Sequence, residues 1–196
     1  EGLHVDGERI LTSDELLQLE QLPKTIIVVG GGVIGIEWAS MLHDFGVDVT
    51  ILEYGPRILP TEDADISEEM CRMLTNRGIR ILTDAKFNAS EVNVQVDSVE
   101  LTLVSGEVVT AEKLLVSIGR VANVEGIGLE NTDIELKNGC IAVNMYYQTK
   151  ESHIYAIGDV IGGMQLAHVA SHEGMRAVEH IVGEPHIPLH YAYIAR

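Results

Sequence analysis

The stretch that most restricts this chain is Gly30-Gly31-Gly32-Val33-Ile34-Gly35, placed directly behind the β-branched run Thr25-Ile26-Ile27-Val28-Val29. A short apolar run ending in turn residues reads as a buried parallel strand. The pattern after the glycines predicts a helix from about Val33 to Phe45, closed by Gly46. Val47 to Leu52 then reads as the next strand. Strand, glycine turn, helix and strand within roughly 30 residues form a βαβ unit.

The glycine spacing fits G-x-G-x-x-G, and it has the context that motif requires: a strand before it and a helix after it. Each glycine has its own physical reason. Gly30 permits the tight turn, Gly32 lets backbone approach a pyrophosphate, and Gly35 lets helix and strand pack closely. The helix start offers free N–H groups and a positive dipole end to the phosphates. An acid is expected about 20 positions on, at the end of the second strand. Glu53 stands 23 positions after Gly30. A carboxylate there accepts the ribose hydroxyls of NAD and repels the 2′-phosphate of NADP, so NAD is the expected cofactor. Arg57 is close enough to suggest a phosphate partner, but a solvated loop arginine is the simpler expectation.

Upstream, Ser13-Asp14-Glu15 is a helix start that Pro23 ends, and residues 1–23 read as a lead-in. Downstream, a helix is expected over Ile66–Arg77 with Gly78 as its stop, then a strand over Ile79–Leu82. The texture changes at Val92, Val94 and Val96, where apolar and polar residues alternate. The alternation continues through Val99, Leu101 and Leu103 to Val108-Val109. Period two with turn signals predicts a small antiparallel meander. Leu114–Ile118 returns to a buried strand. Short strands are expected around Cys140–Val143 and Ile154–Ile157, and a last helix over Gln165–Ile181. The fold class is α/β: a Rossmann-like NAD-binding domain over 24–120 with an inserted antiparallel β-meander, then part of a FAD-binding α/β domain over 121–196.

The formal net charge is −17. Such a chain repels nucleic acid phosphates and anionic membrane surfaces, so neither is an expected partner. No run of 18 or so apolar residues suggests a membrane span. Cys71 and Cys140 form no CxxC or CxxxxC pair, which fits two partly buried thiols in a reducing compartment. The expected location is the cytoplasm, or the mitochondrial matrix if the source is eukaryotic.

The string GGGVIGIEWA followed by VTILE resembles the NAD domain of dihydrolipoamide dehydrogenases, in the pyridine nucleotide–disulfide oxidoreductase family. LLVSIGR at 114–120, TKESHIYAIGDVIGG at 149–163 and QLAHVASHEG at 165–174 extend the resemblance over nearly the whole chain. The resemblance implies that Gly30, Gly32 and Gly35 bind the NAD pyrophosphate and that Glu53 holds the adenosine ribose. It implies that Glu37 lies near the nicotinamide; an exposed first-turn acid favoured by the helix dipole stands as an equal reading. Phe87 and Gly119 would touch the adenine and nicotinamide sides, although Phe87 alone reads as a core aromatic. Tyr155–Asp159 is similar to the family's second FAD signature, with Gly158 approaching the cofactor and Asp159 accepting a hydrogen bond from the ribityl chain. A turn aspartate is the local alternative for Asp159. Gln165, Leu166, Ala167 and His168 would face the flavin. His168 and His172 share a helix face at i, i+4, but HExxH is absent, so no metal is expected.

Family members pass electrons from dihydrolipoamide to a disulfide, to FAD and then to NAD⁺. They work as homodimers with the lipoyl domains of 2-oxo acid dehydrogenase complexes. Against that pattern this chain lacks the N-terminal FAD lobe, the CxxxxC pair and the dimerisation domain with its His–Glu pair. Glu1 in place of Met, and the end at Arg196, suggest an internal piece. The piece is expected to be inactive alone and to expose apolar surface in its second half. Another NAD-dependent flavin disulfide reductase, or a stand-alone NAD-binding module without catalysis, are the competing expectations.

Overall fold

The computed structural model describes residues 2–185 and 188–195. The chain divides into two compact units, 1–119 and 120–196.

The first unit is built on a five-stranded sheet. In chain order its elements are β1 (Ile10–Leu11), α1 (Ser13–Leu16), β2 (Thr25–Val29), α2 (Val33–Asp44), β3 (Asp48–Leu52), α3 (Ala64–Arg77) and β4 (Arg80–Leu82). A meander follows: β5 (Asn93–Val94), β6 (Val99–Thr102) and β7 (Val108–Ala111). The chain then returns to the main sheet as β8 (Lys113–Val116). The strand order is β1-β8-β2-β3-β4, and every pairing is parallel. Phe45 caps α2 and Gly46 follows with φ +86°, while Gly78 closes α3 with φ +109°. Glycine meets those left-handed positions without a Cβ penalty.

Two apolar clusters explain why β2 is apolar at consecutive positions. Side chains alternate across a strand. Ile26 and Val28 join Ile36, Ala39, Leu42 and Leu74 of α2 and α3. Ile27 and Val29 join Val99, Leu101, Val109 and Ala111 of the meander. The sheet is therefore covered by helices on one face and by the meander on the other. Ile27 has 0% exposure. Ile27→Ala is expected to cost roughly 3–4 kcal/mol through lost burial and the cavity left behind. Urea denaturation checks this, and a loss under about 1 kcal/mol would mean that the face relaxes to fill the gap.

The opening segment departs from expectation. The helix begun at Ser13 lasts only to Leu16, with Thr12 and Glu15 forming a capping box. Before it, Ile10 and Leu11 pair with Leu114 and Leu115 as an edge strand. Two residues carry no usable period, so the strand is invisible until β8 is in place.

The second unit holds a hairpin of β9 (Leu136–Lys137) and β10 (Cys140–Ile141), turned through Asn138 and Gly139 at positive φ. A 3₁₀ turn at Gly158–Ile161 and helix α4 (Ala167–Ile181) follow. The strand expected over Ile154–Ile157 does not form. Its backbone instead folds back on Tyr147–Thr149, with Gln148 and Tyr155 making one isolated bridge. A short apolar run becomes a strand only where a ladder partner is supplied. No helix among the described residues is long and apolar enough to cross a membrane.

Candidate functional site

The sheet order sets the place of the site. From β2 the chain moves one way to β3 and β4, while β8 and β1 lie on the other side. The carboxyl ends align, since Val29 is in register with both Leu52 and Val116. In open α/β sheets, ligands bind beyond the carboxyl ends where the order reverses.

The glycines sit there, and they differ from one another. The Gly30 amide donates to the Leu52 carbonyl at 2.8 Å, and φ +109° then turns the chain out of the sheet. A Cβ on Gly30 would lie 2.4 Å from the Ser117 carbonyl oxygen, and one on Gly35 would lie 2.0 Å from the Gly30 carbonyl oxygen. Those contacts are with backbone and cannot be relieved by a rotamer. Gly31, which the motif leaves unassigned, is also confined: its Cβ would meet Ile58 and Glu53. Gly32 alone of the four faces open space, with nothing within 4 Å of its missing Cβ. It is the N-cap of α2 and no side chain caps that helix end. Early N–H groups of a helix have no partner within it, so they are available to an anion.

Glu53 closes the other side of the turn. Its Oε2 accepts the Gly31 amide at 2.6 Å and its Oε1 the Gly55 amide at 2.7 Å. Charge-assisted bonds of this kind orient a carboxylate firmly, yet each oxygen keeps a lone pair for a hydroxyl donor. Arg57 is not the solvated arginine expected. Half-buried, it donates to the Glu62 carbonyl at 2.8 Å and the Pro60 carbonyl at 2.9 Å. Two of its five N–H donors thus tie the loop together.

Ser117 escaped the sequence reading. Its Oγ lies 2.9 Å from the Val29 carbonyl and 3.2 Å from that of Gly30, joining the end of β8 to the turn. Only parallel pairing across 88 residues of separation brings it there. Gly119 lies just past β8, exposed and at φ +130°. Phe87 packs with the meander cluster and bridges to Leu103. It follows Ala85, whose amide bonds the Glu53 carbonyl at 2.9 Å. Glu37 is exposed, but it is the fifth residue of α2, and the first turn holds no acid. The dipole reading of Glu37 therefore loses its basis, because that effect fades beyond the first turn.

In the second unit, Gly158 has φ +72° and opens the 3₁₀ turn on which Asp159 stands exposed. Leu166 is the N-cap of α4, again without a side-chain cap, and Ala167 and His168 begin the helix. Gln165, Ala167 and His168 are exposed. His168 Nε2 lies 3.2 Å from the Ala195 carbonyl. No group of three or more His, Cys, Asp or Glu among the described residues is arranged to hold a metal. Glu173, which the sequence reading did not single out, is 2% exposed. It accepts the Gly158 amide at 2.7 Å and the Tyr191 hydroxyl at 2.8 Å. Burial foremost, then hydrogen bonds to Tyr147 and Glu173, push the Tyr191 hydroxyl far above the usual phenol range. It therefore stays a protonated donor.

A parallel sheet covered on both faces, with a glycine turn at its switch point and an acid on the next strand, defines a dinucleotide-binding α/β protein. The chain belongs to the pyridine nucleotide-disulphide oxidoreductase family, whose model matches residues 1–174. It is 64% identical over 189 residues to a dihydrolipoyl dehydrogenase of Bacillus subtilis, covering 94% of this chain and 40% of that protein. A dihydrolipoyl dehydrogenase of Zymomonas mobilis is 43% identical over 189 residues, again with 40% of its length covered. The crystal structure of LpdA from Mycobacterium tuberculosis superposes with a TM-score of 0.89 at 35% identity, covering all of this chain and 42% of that one. The flavoprotein disulfide reductase RclA of Escherichia coli gives 0.85 at 28% identity, covering 94% of this chain and 42% of that one. The chain thus spans about two fifths of the length of these relatives.

Proposed function

We propose that this chain is the NAD-binding portion, and part of the FAD-binding portion, of a dihydrolipoyl dehydrogenase, which oxidises protein-bound dihydrolipoamide and reduces NAD⁺. The observation that carries the reading is the glycine turn with Glu53 hydrogen-bonded against it. Gly32 leaves room for a pyrophosphate over the uncapped start of α2. Glu53 presents its remaining lone pairs to a ribose diol. Gly119 and Glu37 line the nicotinamide side and Phe87 the adenine side. The first unit is thus the NAD domain.

In the second unit the residues fit one side of a flavin. Asp159 stands exposed on a turn opened by Gly158, and the start of α4 has no cap of its own. When bound, FAD relays an electron pair between a dithiol and the nicotinamide. Asp159 accepts a hydrogen bond from the ribityl chain. Gln165 to His168, at the uncapped start of α4, would face the flavin, and the helix dipole there would favour developing negative charge. The two cysteines, Cys71 and Cys140, have neither CxxC nor CxxxxC spacing, so residues 1–196 alone do not oxidise dihydrolipoamide. The whole enzyme acts as a homodimer with lipoyl-bearing domains of 2-oxo acid dehydrogenase complexes, in the cytoplasm or the mitochondrial matrix. The likeness to RclA supports a second reading, another NAD-dependent flavin disulfide reductase. Turnover of dihydrolipoamide by the full-length protein separates the two.

The direct test is titration of the chain with NADH and with NADPH, followed by nicotinamide fluorescence. NADH is expected to bind at least about tenfold more tightly, the 2′-phosphate being repelled by Glu53. Equal affinities would overturn the cofactor assignment.

A further inference from the structure

Glu173 is a buried acid with no part in the binding roles assigned above. It lies in the seventh position of α4, and both of its oxygens are engaged. Oε2 takes the amide of Gly158, the residue whose left-handed backbone aims the 158–161 turn. Oε1 takes the Tyr191 hydroxyl. Tyr191 has one proton and gives it to Glu173, so the 3.2 Å contact between the Tyr147 and Tyr191 hydroxyls is donated by Tyr147. A chain of donors thus runs Tyr147 to Tyr191 to Glu173, and the carboxylate ends against the turn that carries Asp159. On the other side the turn has little freedom. A Cβ on Gly158 would stand 3.2 Å from Ala170 of the same helix.

We propose that Glu173 is a positioning residue for the flavin: bridging the Gly158 amide and the Tyr191 hydroxyl, it holds the turn in the conformation that presents Asp159 to the ribityl chain. This rests on the flavin reading of Asp159 given above. Glu173 itself does not touch the flavin. A buried acid is costly unless every lone pair that counts is used, and here those bonds go to the one backbone amide that orients the turn. A packing residue would need no such pair of donors.

The experiment uses the full-length flavoenzyme and measures the FAD dissociation constant, the visible flavin spectrum, and NADH binding, which is assigned to the first unit, as a control. Glu173→Met fills a similar volume without accepting a hydrogen bond. It is expected to weaken FAD about tenfold or more, as loss of a charge-assisted bond does, and to alter the flavin band while leaving NADH binding intact. Glu173→Gln is expected to stay within about twofold of the parent. Its Oε1 still accepts from Gly158, and its Nε2 donates to Tyr191, whose proton then swings to Tyr147. Unchanged FAD affinity in Glu173→Met, or equal losses in the Met and Gln variants, would overturn the proposal. If Glu173→Met does not fold, Tyr191→Phe decides, with weaker FAD binding supporting the proposal and parental binding overturning it. Asp159→Ala separates the two levels. If it binds FAD as the parent does, the flavin reading of the turn fails. If it loses FAD while Glu173→Met keeps it, only the role of Glu173 fails.

Discussion

Replacing Glu53 by alanine is expected to weaken NADH binding about 10- to 100-fold and to erase the preference for NADH over NADPH. Two effects act together. The ribose hydroxyls lose a charged acceptor, a contact worth about 1.5–3 kcal/mol. The amides of Gly31 and Gly55 also lose the carboxylate that fixes them at 2.6 and 2.7 Å, so the turn itself loosens. The selectivity change isolates the first effect, because a loosened turn weakens both cofactors alike. Removing the carboxylate lifts the repulsion toward a 2′-phosphate, so NADPH falls less than NADH. Titration of both cofactors against both proteins reads the change. An unaltered NADH to NADPH ratio would show that Glu53 braces the turn without meeting the ribose.

The second large effect separates two glycines three positions apart. Gly35→Ala is expected to destabilise the first unit by about 3 kcal/mol or more, since the new Cβ would stand 2.0 Å from the Gly30 carbonyl oxygen and overpacking against backbone has no cheap relief. For a unit of this size that lowers the melting temperature by roughly 10–20 °C. Gly32→Ala meets nothing within 4 Å and has φ −75°, so the fold is expected to tolerate it within about 0.5 kcal/mol. Its NADH affinity is nonetheless expected to fall about tenfold or more, because the methyl stands where a pyrophosphate approaches. Thermal melts and NADH titrations of the two variants check the contrast. A Gly32→Ala protein that binds NADH normally would move the pyrophosphate away from this turn.

These two glycines also mark how far local sequence reaches. β2, the glycine turn, α2 and β3 follow one another along the chain, and each is set by its own residues: a β-branched run, a turn that needs glycine, a helix with an apolar face, a second apolar run. That is why their order and Glu53's place at the end of β3 could be read before any tertiary structure. The same holds for α3 with Gly78 and for the alternating meander.

What depends on distant pairing could not be read. Ile10 and Leu11 become a strand only beside Leu114 and Leu115. Ile154–Ile157 has strand composition but no ladder partner among the described residues beyond Gln148 opposite Tyr155. Ser117 bonds the glycine turn only because β8 lies next to β2. Arg57 read as a solvated loop arginine, and only the folded loop shows it bonded to the Glu62 and Pro60 carbonyls. Glu173 was not singled out by the sequence, and its bonds to Gly158 and Tyr191 exist only in the folded interior. The dinucleotide motif was legible along the chain, because glycine geometry and helix polarity act within a few residues. Which polar side chains brace that motif and the turn at Gly158 follows from the assembled fold, because a buried hydrogen bond exists only once both partners have been brought together from far along the chain.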